Sequence, residues 1–271
     1  MTTSDKTTTL DNALALVQEG HTLALGGMTL YRRPVAFVRA LLRQDKPPQN
    51  LTLLAFTAGL AADLLVGAGV VKRTRTCYFG LETFGLAPMF TQRANGGQIE
   101  IVEESEASIA SGLRARMAGV GFMPSRAWQG TDMLQVRADV QTITDPYSGH
   151  PVTAFPAIDC DLAVIHVLKA DQGGNAVLGG NPTIDLELTL VAATVILTAE
   201  EVVEQLAAPI DIPGQAVTVV VPAPYGAWPT SCYPLYPVDG EEILRYIAAC
   251  NAGEFQEYLG TMPDGADGLH D

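Results

Sequence analysis

The chain has 271 residues, 48% of them hydrophobic, enough for one large or two modest α/β domains with a well-buried core. Its formal charge of −14 argues against nucleic acid or anionic membrane as a partner, because binding either requires a basic patch that displaces counterions. The opening MTTSDKTTT has no basic region followed by an apolar run, so no secretory leader is expected, and the runs DLAVIHVL and TLVAATVILTA are too short to span a bilayer.

From residue 10 onward helical periodicity alternates with short apolar runs, a pattern of βαβ units that predicts an open, mainly parallel sheet flanked by helices. A helix is expected over Leu10 to Gln18, stopped at Gly20, and then a strand in HTLALGG. Pro34 opens a helix whose Val35, Val38, Leu41 and Leu42 share one face, and DKPPQN ends it. A second unit runs from strand LTLLAF through helix LAADLLVGAG to a strand in RTRTCYFG. A helix over Ala87 to Ala94 and a strand in QIEIV follow, then a helix from near Ser105 with Ile109, Leu113 and Met117 as a core-facing stripe. The turn-rich TITDPYSGHPV, near residues 140–152, is the expected break between two layers or lobes of a single domain. Strands in DLAVIHVL, ATVILTAE and AVTVVVPAP and a helix over Gly240 to Cys250 complete the chain, and residues 263–271 read as a frayed polar tail.

Three segments have the residue types that chemistry needs. In LALGGMTLYRRP, Gly26 and Gly27 lack a Cβ, so their N–H groups can approach a ligand carbonyl as an oxyanion pocket; a tight turn requiring positive φ explains them equally. Arg32 and Arg33 close this loop, where a guanidinium can clamp a carboxylate or phosphate, or sit in a surface ion pair. Lys72, Arg73 and Arg75 form a second basic cluster with the same alternatives. In VEESEAS, Ser105 is placed to cap a helix, with Glu106 in the first turn. Glu106 is there either for helix stability or as a base or substrate-orienting group at the carboxyl edge of the sheet.

His166, alone inside an apolar strand, reads as a hydrogen-bonded core residue. Cys77, Cys160, Cys232 and Cys250 form no CxxC pair, and neither a metal site nor a nucleophilic triad is indicated by spacing. The cytoplasm is the expected compartment, and no permanently bound cofactor is expected.

Taken in order, LALGGMTLYRRPVAFVRALLR, LLVGAGVVKR, GVGFMPSRAWQGTD, DLAVIHVLKADQGGNA, ILTAEEVV, DIPG and VPAPYGAWPTSCYPLY resemble the A subunit of the glutaconate CoA-transferase family. The resemblance runs from about residue 10 to about residue 260. It implies the fold shared by CoA transferases and sugar-phosphate isomerases, a B subunit as partner in a heterotetramer or larger assembly, and an active site between the subunits. It also implies a coenzyme A thioester as substrate, attacked by a glutamate of the B subunit to give a glutamyl-CoA intermediate. By the same resemblance Gly26, Gly27 and Met28 line the acyl pocket, and Glu82 and Glu106 stand near its rim.

Two positions depart from the plain transferase pattern. Glu106 stands where glutaconate CoA-transferase has an uncharged polar residue, and resembles the general base of a relative that opens a steroid ring hydrolytically. Trp228 replaces the histidine often found in the family's GAHP segment. A decarboxylating relative shows that the scaffold hosts a third reaction. A non-enzymatic effector-binding module of the same fold predicts a DNA-binding segment, and the sequence has none.

Overall fold

The computed structural model describes residues 4–263. In chain order the strands are β1 (Thr22–Leu25), β2 (Leu51–Leu54), β3 (Thr57–Ala58), β4 (Val71–Thr76), β5 (Tyr78–Phe79), β6 (Glu100–Glu103), β7 (Phe122–Ser125), β8 (Gln141–Thr144), β9 (Pro151–Pro156), β10 (Cys160–Asp171), β11 (Ala176–Val177), β12 (Ala192–Val203) and β13 (Val219–Pro222). The helices are α1 (Leu10–Leu14), α2 (Val35–Leu42), α3 (Leu60–Gly67), α4 (Pro88–Asn95), α5 (Glu106–Met117), α6 (Met133–Val136), α7 (Asp185–Val191), α8 (Gly240–Ala252) and α9 (Phe255–Thr261).

The main sheet has the order β13-β12-β10-β1-β2-β4-β6, with every neighbouring pair along this path parallel. Only β11 runs antiparallel, beside β10. Strands after β1 are laid outward on one side, and β10, β12 and β13 on the other. The winding therefore reverses between β1 and β10, the place where open α/β sheets form a crevice at their carboxyl ends.

Alternate residues of each central strand point to opposite faces, as the strand period of two requires. Leu23, Leu25, Leu162 and Val164 join the core under α1, α2, α3, α8 and α9, whereas Ala24, Ala163, Ile165 and Val167 join the core under α5 and α7. A small antiparallel sheet, β7-β9-β8, stands apart with its own core of Trp128, Val140 and Phe155. TITDPYSGHPV supplies β8, the turn and the start of β9 in this small sheet.

Several elements differ from expectation. The first helix ends at Leu14 rather than Gln18. RTRTCYFG is not one strand: Cys77 N–H donates to Phe56 O at 3.1 Å, and β5 leaves the main sheet to pair with β3. Ile109 and Leu113 are buried, but Met117 is 43% exposed, because each four-residue step advances about 40° around a helix and the stripe drifts off the core. Helices α7 and α9 and the small sheet were not expected. The acidic DGADGLHD tail lies outside the described residues. No helix of the described residues is long and apolar enough to cross a membrane.

Candidate functional site

At the carboxyl end of β1 the chain turns sharply through Gly26 and Gly27, the latter at φ +76°. A Cβ on Gly26 would lie 2.8 Å from Asp185 Oδ1, and one on Gly27 would collide with the carbonyl of Arg32. The loop's donors are already used within the chain. Gly26 N–H goes to Val164 O at 2.9 Å, Gly27 N–H to Asp185 Oδ1 at 2.9 Å, Met28 N–H to Tyr31 O at 2.8 Å and Thr29 N–H to Thr57 Oγ1 at 3.1 Å. The oxyanion-pocket expectation is therefore corrected: the loop is a tight, internally satisfied turn, with Met28 half-buried at its tip.

Arg32 and Arg33 are also corrected, since they are 0% and 1% exposed rather than poised for a phosphate. Arg32 Nη2 pairs with Asp185 Oδ2 at 2.8 Å and donates to Asn181 O at 2.6 Å, while Nη1 donates to His166 O at 2.8 Å. Arg33 Nη1 donates to Leu25 O at 3.0 Å and Gly26 O at 2.8 Å. Burial lowers the Arg33 guanidinium to about 10, with the Asp185 charge opposing and the Arg32 charge adding to that shift. These arginines brace the turn from beneath.

A second group gathers where β6 meets α5. Ser105 is the N-cap of α5, its Oγ accepting from Ser108 N–H at 3.2 Å, and Ser108 Oγ accepts from Ser105 N–H at 2.8 Å in a reciprocal capping box. The two flanking carboxylates have opposite environments. Glu104 is buried and held by Arg75, Nε and Nη2 both 2.7 Å away, by Arg137 Nη1 at 3.0 Å, and by the Ser108 hydroxyl. Glu106, the first residue of α5, is exposed and makes no hydrogen bond or ion pair among the described residues.

Cys77, half-buried between β4 and β5, is under the influence of both charges. Burial first, then the charge of Glu106, pushes its thiol up to about 11, and its Sγ–H donates to Phe56 O at 2.8 Å. It is held as a thiol, not a nucleophile. The Lys72, Arg73 and Arg75 cluster disperses: Arg75 serves Glu104, Arg73 pairs with Glu100 at 2.9 Å, and Lys72 is exposed. Glu82 is exposed at φ +56° on a single 3₁₀ turn after β5. Trp228 is 3% exposed, packed in the core with Nε1–H donating to Asp239 Oδ2 at 3.1 Å, so it does not form a pocket wall.

His166 is a buried core histidine, as expected, but it belongs to a polar cluster that spacing along the chain does not reveal. Its Nδ1 lies 2.9 Å from Thr198 Oγ1 and its Nε2 2.7 Å from Glu200 Oε1. Glu200 also accepts from the Tyr236 hydroxyl and from Tyr225 N–H at 2.6 Å. Burial raises the Glu200 carboxyl, but the hydrogen bond and charge of His166, with those two donors, outweigh it and leave the group below its ordinary value. Glu200 and Tyr236 line a surface cavity of about 620 Å³ with Leu168, Tyr225 and Leu235.

His166, Glu200 and Cys232 bring three ligand-type atoms within 4.8 Å of one another. Hydrogen bonding explains the cluster better than an ion. Zinc ligands on one ion stand at least about 3 Å apart, and the 2.7 Å between Nε2 and Oε1 is a proton-bridged contact. The Cys232 thiol is pushed up to about 12, chiefly by burial and then by Glu200.

A family model described as Coenzyme A transferase matches residues 7–223. The chain is 32% identical over 283 residues to the cholesterol ring-cleaving hydrolase IpdA subunit of Mycobacterium tuberculosis, covering 97% of this chain and 94% of that one. The structure of glutaconate coenzyme A-transferase from Acidaminococcus fermentans has a TM-score of 0.87 at 29% identity, covering 97% of this chain and 92% of that one. The structure of a variant of the decarboxylase AibA/AibB has a TM-score of 0.89 at 32% identity, with 97% and 99% covered. An uncharacterised protein of Archaeoglobus fulgidus is 32% identical over 96% of this chain, which spans 61% of that relative's length.

Proposed function

This chain belongs to the coenzyme A transferase family, and from that premise we propose that it is the A-type subunit of a two-subunit cytoplasmic enzyme acting on an acyl-CoA thioester. The described span works as one domain, and the crevice at the carboxyl edge of its sheet receives the acyl group. CoA moves from the acyl-CoA to a carboxylic acid through a glutamyl-CoA intermediate on a B-type partner. The lack of a ready nucleophile around Glu106 supports this division: Glu104 is committed to two arginines, and Cys77 is held as a thiol.

The observation that carries the role of this chain is the bare carboxylate of Glu106 at the carboxyl edge of the sheet, beside a buried glutamate that absorbs the local arginines. In the transferase it orients the acyl group. The same bareness favours a second reading, hydrolytic C–C cleavage of a cyclic β-keto acyl-CoA with Glu106 as general base for water. Likeness to the IpdA subunit supports that alternative.

One experiment separates them. The chain is co-purified with its partner subunit, incubated with a panel of acyl-CoA thioesters and acetate as acceptor, and treated with hydroxylamine. Loss of activity dependent on acyl-CoA, together with a hydroxamate on a partner glutamate, supports transfer. Water-dependent turnover without that adduct, abolished by Glu106→Gln, replaces transfer by hydrolysis.

A further inference from the structure

The geometry points to Trp128 as a positioning residue that fixes where Glu106 stands. Its significance for catalysis rests on the proposed role of Glu106; the positioning itself does not.

Trp128 is in an unusual state for so large a side chain. Its backbone lies at φ +70°, a left-handed conformation that costs a bulky residue on the order of 1–3 kcal/mol and persists only where the surroundings enforce it. The surroundings do so. The carbonyl of Ala127 accepts from Thr153 Oγ1 at 2.7 Å, Ala127 N–H donates to Ser125 Oγ at 3.1 Å, and the Trp128 carbonyl accepts from Thr131 Oγ1 at 2.9 Å. The ring is 7% exposed, packs edge-on against Phe155 with centroids 4.8 Å apart, and lies under the Arg137 guanidinium at 5.8 Å.

This strained segment delivers one polar atom. Trp128 Nε1–H donates to Ser105 Oγ at 2.7 Å, the same oxygen that accepts Ser108 N–H and so caps α5. The indole therefore fixes the rotamer of the cap, one residue before Glu106. Arg137 holds the other side, donating Nη1 to Glu103 O at 2.7 Å while pairing with Glu104. Glu103, Glu104 and Ser105 are thus tethered to one block formed by Trp128 and Arg137. With its root pinned by the cap, Glu106 leaves the block as an exposed side chain at the carboxyl edge of the sheet. A capping box alone secures a helix end; it needs neither an indole donor nor a positive-φ tryptophan. The added machinery orients the residue that follows the cap.

Cys77 reports on this arrangement without requiring the substrate, because the Glu106 charge raises its thiol. The test is a double-mutant cycle on alkylation of Cys77 by iodoacetamide, followed by peptide mass spectrometry in the assembled protein, with Glu106→Gln, Trp128→Phe and the double variant. Phe keeps an aromatic ring against Phe155 but removes the N–H. With Trp128 present, Glu106→Gln accelerates alkylation severalfold, because removing a nearby negative charge favours the thiolate. In the Trp128→Phe background that acceleration collapses toward unity. An equal acceleration in both backgrounds, or none with Trp128 present, overturns the inference. If Trp128→Phe does not fold, Ser105→Ala removes the acceptor instead and is read the same way. Loss of turnover in Glu106→Gln is scored separately, so a failed catalytic role for Glu106 leaves the alkylation result intact.

Discussion

Asp185 Oδ2 lies 2.8 Å from Arg32 Nη2, and neither side chain has any exposed surface. The other oxygen of the same carboxylate accepts Gly27 N–H, so one residue of α7 fixes both the glycine turn and the arginine below it. Removing one member of such a pair leaves an unbalanced charge in the interior, which costs about 3–5 kcal/mol. Asp185→Asn is expected to lower unfolding free energy by about that amount, measured by urea denaturation. A loss under about 1 kcal/mol shows that the Arg32 guanidinium is satisfied by the carbonyls of His166 and Asn181 alone.

Asp63 gives the stability a pH dependence opposite to that of most carboxylates. It joins three helices, accepting Phe90 N–H at 2.6 Å, Met89 N–H at 3.2 Å and the Tyr246 hydroxyl at 2.6 Å. Burial raises its carboxyl from 3.8 to about 6, despite the opposing hydrogen bonds from Tyr246, Phe90 and Met89. The folded state therefore holds this proton more tightly than the unfolded chain. Its contribution is fully present below 3.8 and is lost as pH rises through about 6. The stability of the wild type relative to Asp63→Asn should fall by on the order of 2–3 kcal/mol between about pH 4 and pH 7, read from urea curves at each pH. A difference that is flat or rises over this range places the native proton elsewhere.

The mainly parallel sheet was legible because DLAVIHVL and ATVILTAE are continuous apolar runs, as strands buried on both faces must be. The same composition hid α7, whose Leu188 and Val191 run directly into β12 without a breaking residue. Glu106 at the first turn of α5 was also legible, because a cap and a following acid are local in sequence. The sequence left the glycine loop open between a tight turn and an oxyanion pocket for the opposite reason. Its N–H acceptor, Asp185, lies 158 positions away from Gly27, and no local pattern announces it. Arg32 and Arg33 looked like surface cations because arginines are seldom buried without partners; those of Arg32, Asp185 and the His166 carbonyl, lie far along the chain, and those of Arg33 are backbone carbonyls at the end of β1, which no residue type announces. Trp128 was visible only as part of a resemblance; its link to Ser105 spans two sheets of different kinds.

Tyr236 tests the buried His166 and Glu200 cluster. Its hydroxyl donates to Glu200 Oε1 and accepts Ala227 N–H at 3.2 Å, so Tyr236→Phe strips a donor from the carboxylate and an acceptor from the backbone. A cost of about 1–3 kcal/mol is expected at neutral pH. The carboxyl of Glu200 is held below 4.5, so its contribution is present above that value and is lost as pH falls through the depressed folded value. Removing one of the groups that depress it moves the loss to higher pH. The acid-unfolding midpoint, followed by circular dichroism, should rise in Tyr236→Phe; an unchanged midpoint shows that His166 and Tyr225 N–H suffice.

Glu104 and Glu106 are separated by one residue, and their isosteric amides should have opposite effects. Glu104→Gln leaves Arg75 and Arg137 facing a neutral amide in a largely buried site, and is expected to cost about 3 kcal/mol of stability. Glu106→Gln removes an exposed charge from the first turn of α5, where its interaction with the helix dipole is worth about 0.5 kcal/mol, so unfolding and assembly should be nearly unchanged. Activity should divide the other way. Per folded complex, Glu104→Gln retains turnover to the extent that the Trp128 and Arg137 block still holds, while Glu106→Gln loses at least about 100-fold if its carboxylate is a general base. A loss of about tenfold or less leaves it an orienting group and favours transfer by the partner's glutamate over hydrolysis. Measuring denaturation and turnover on the same two preparations separates a carboxylate that supports the fold from one that acts on the substrate.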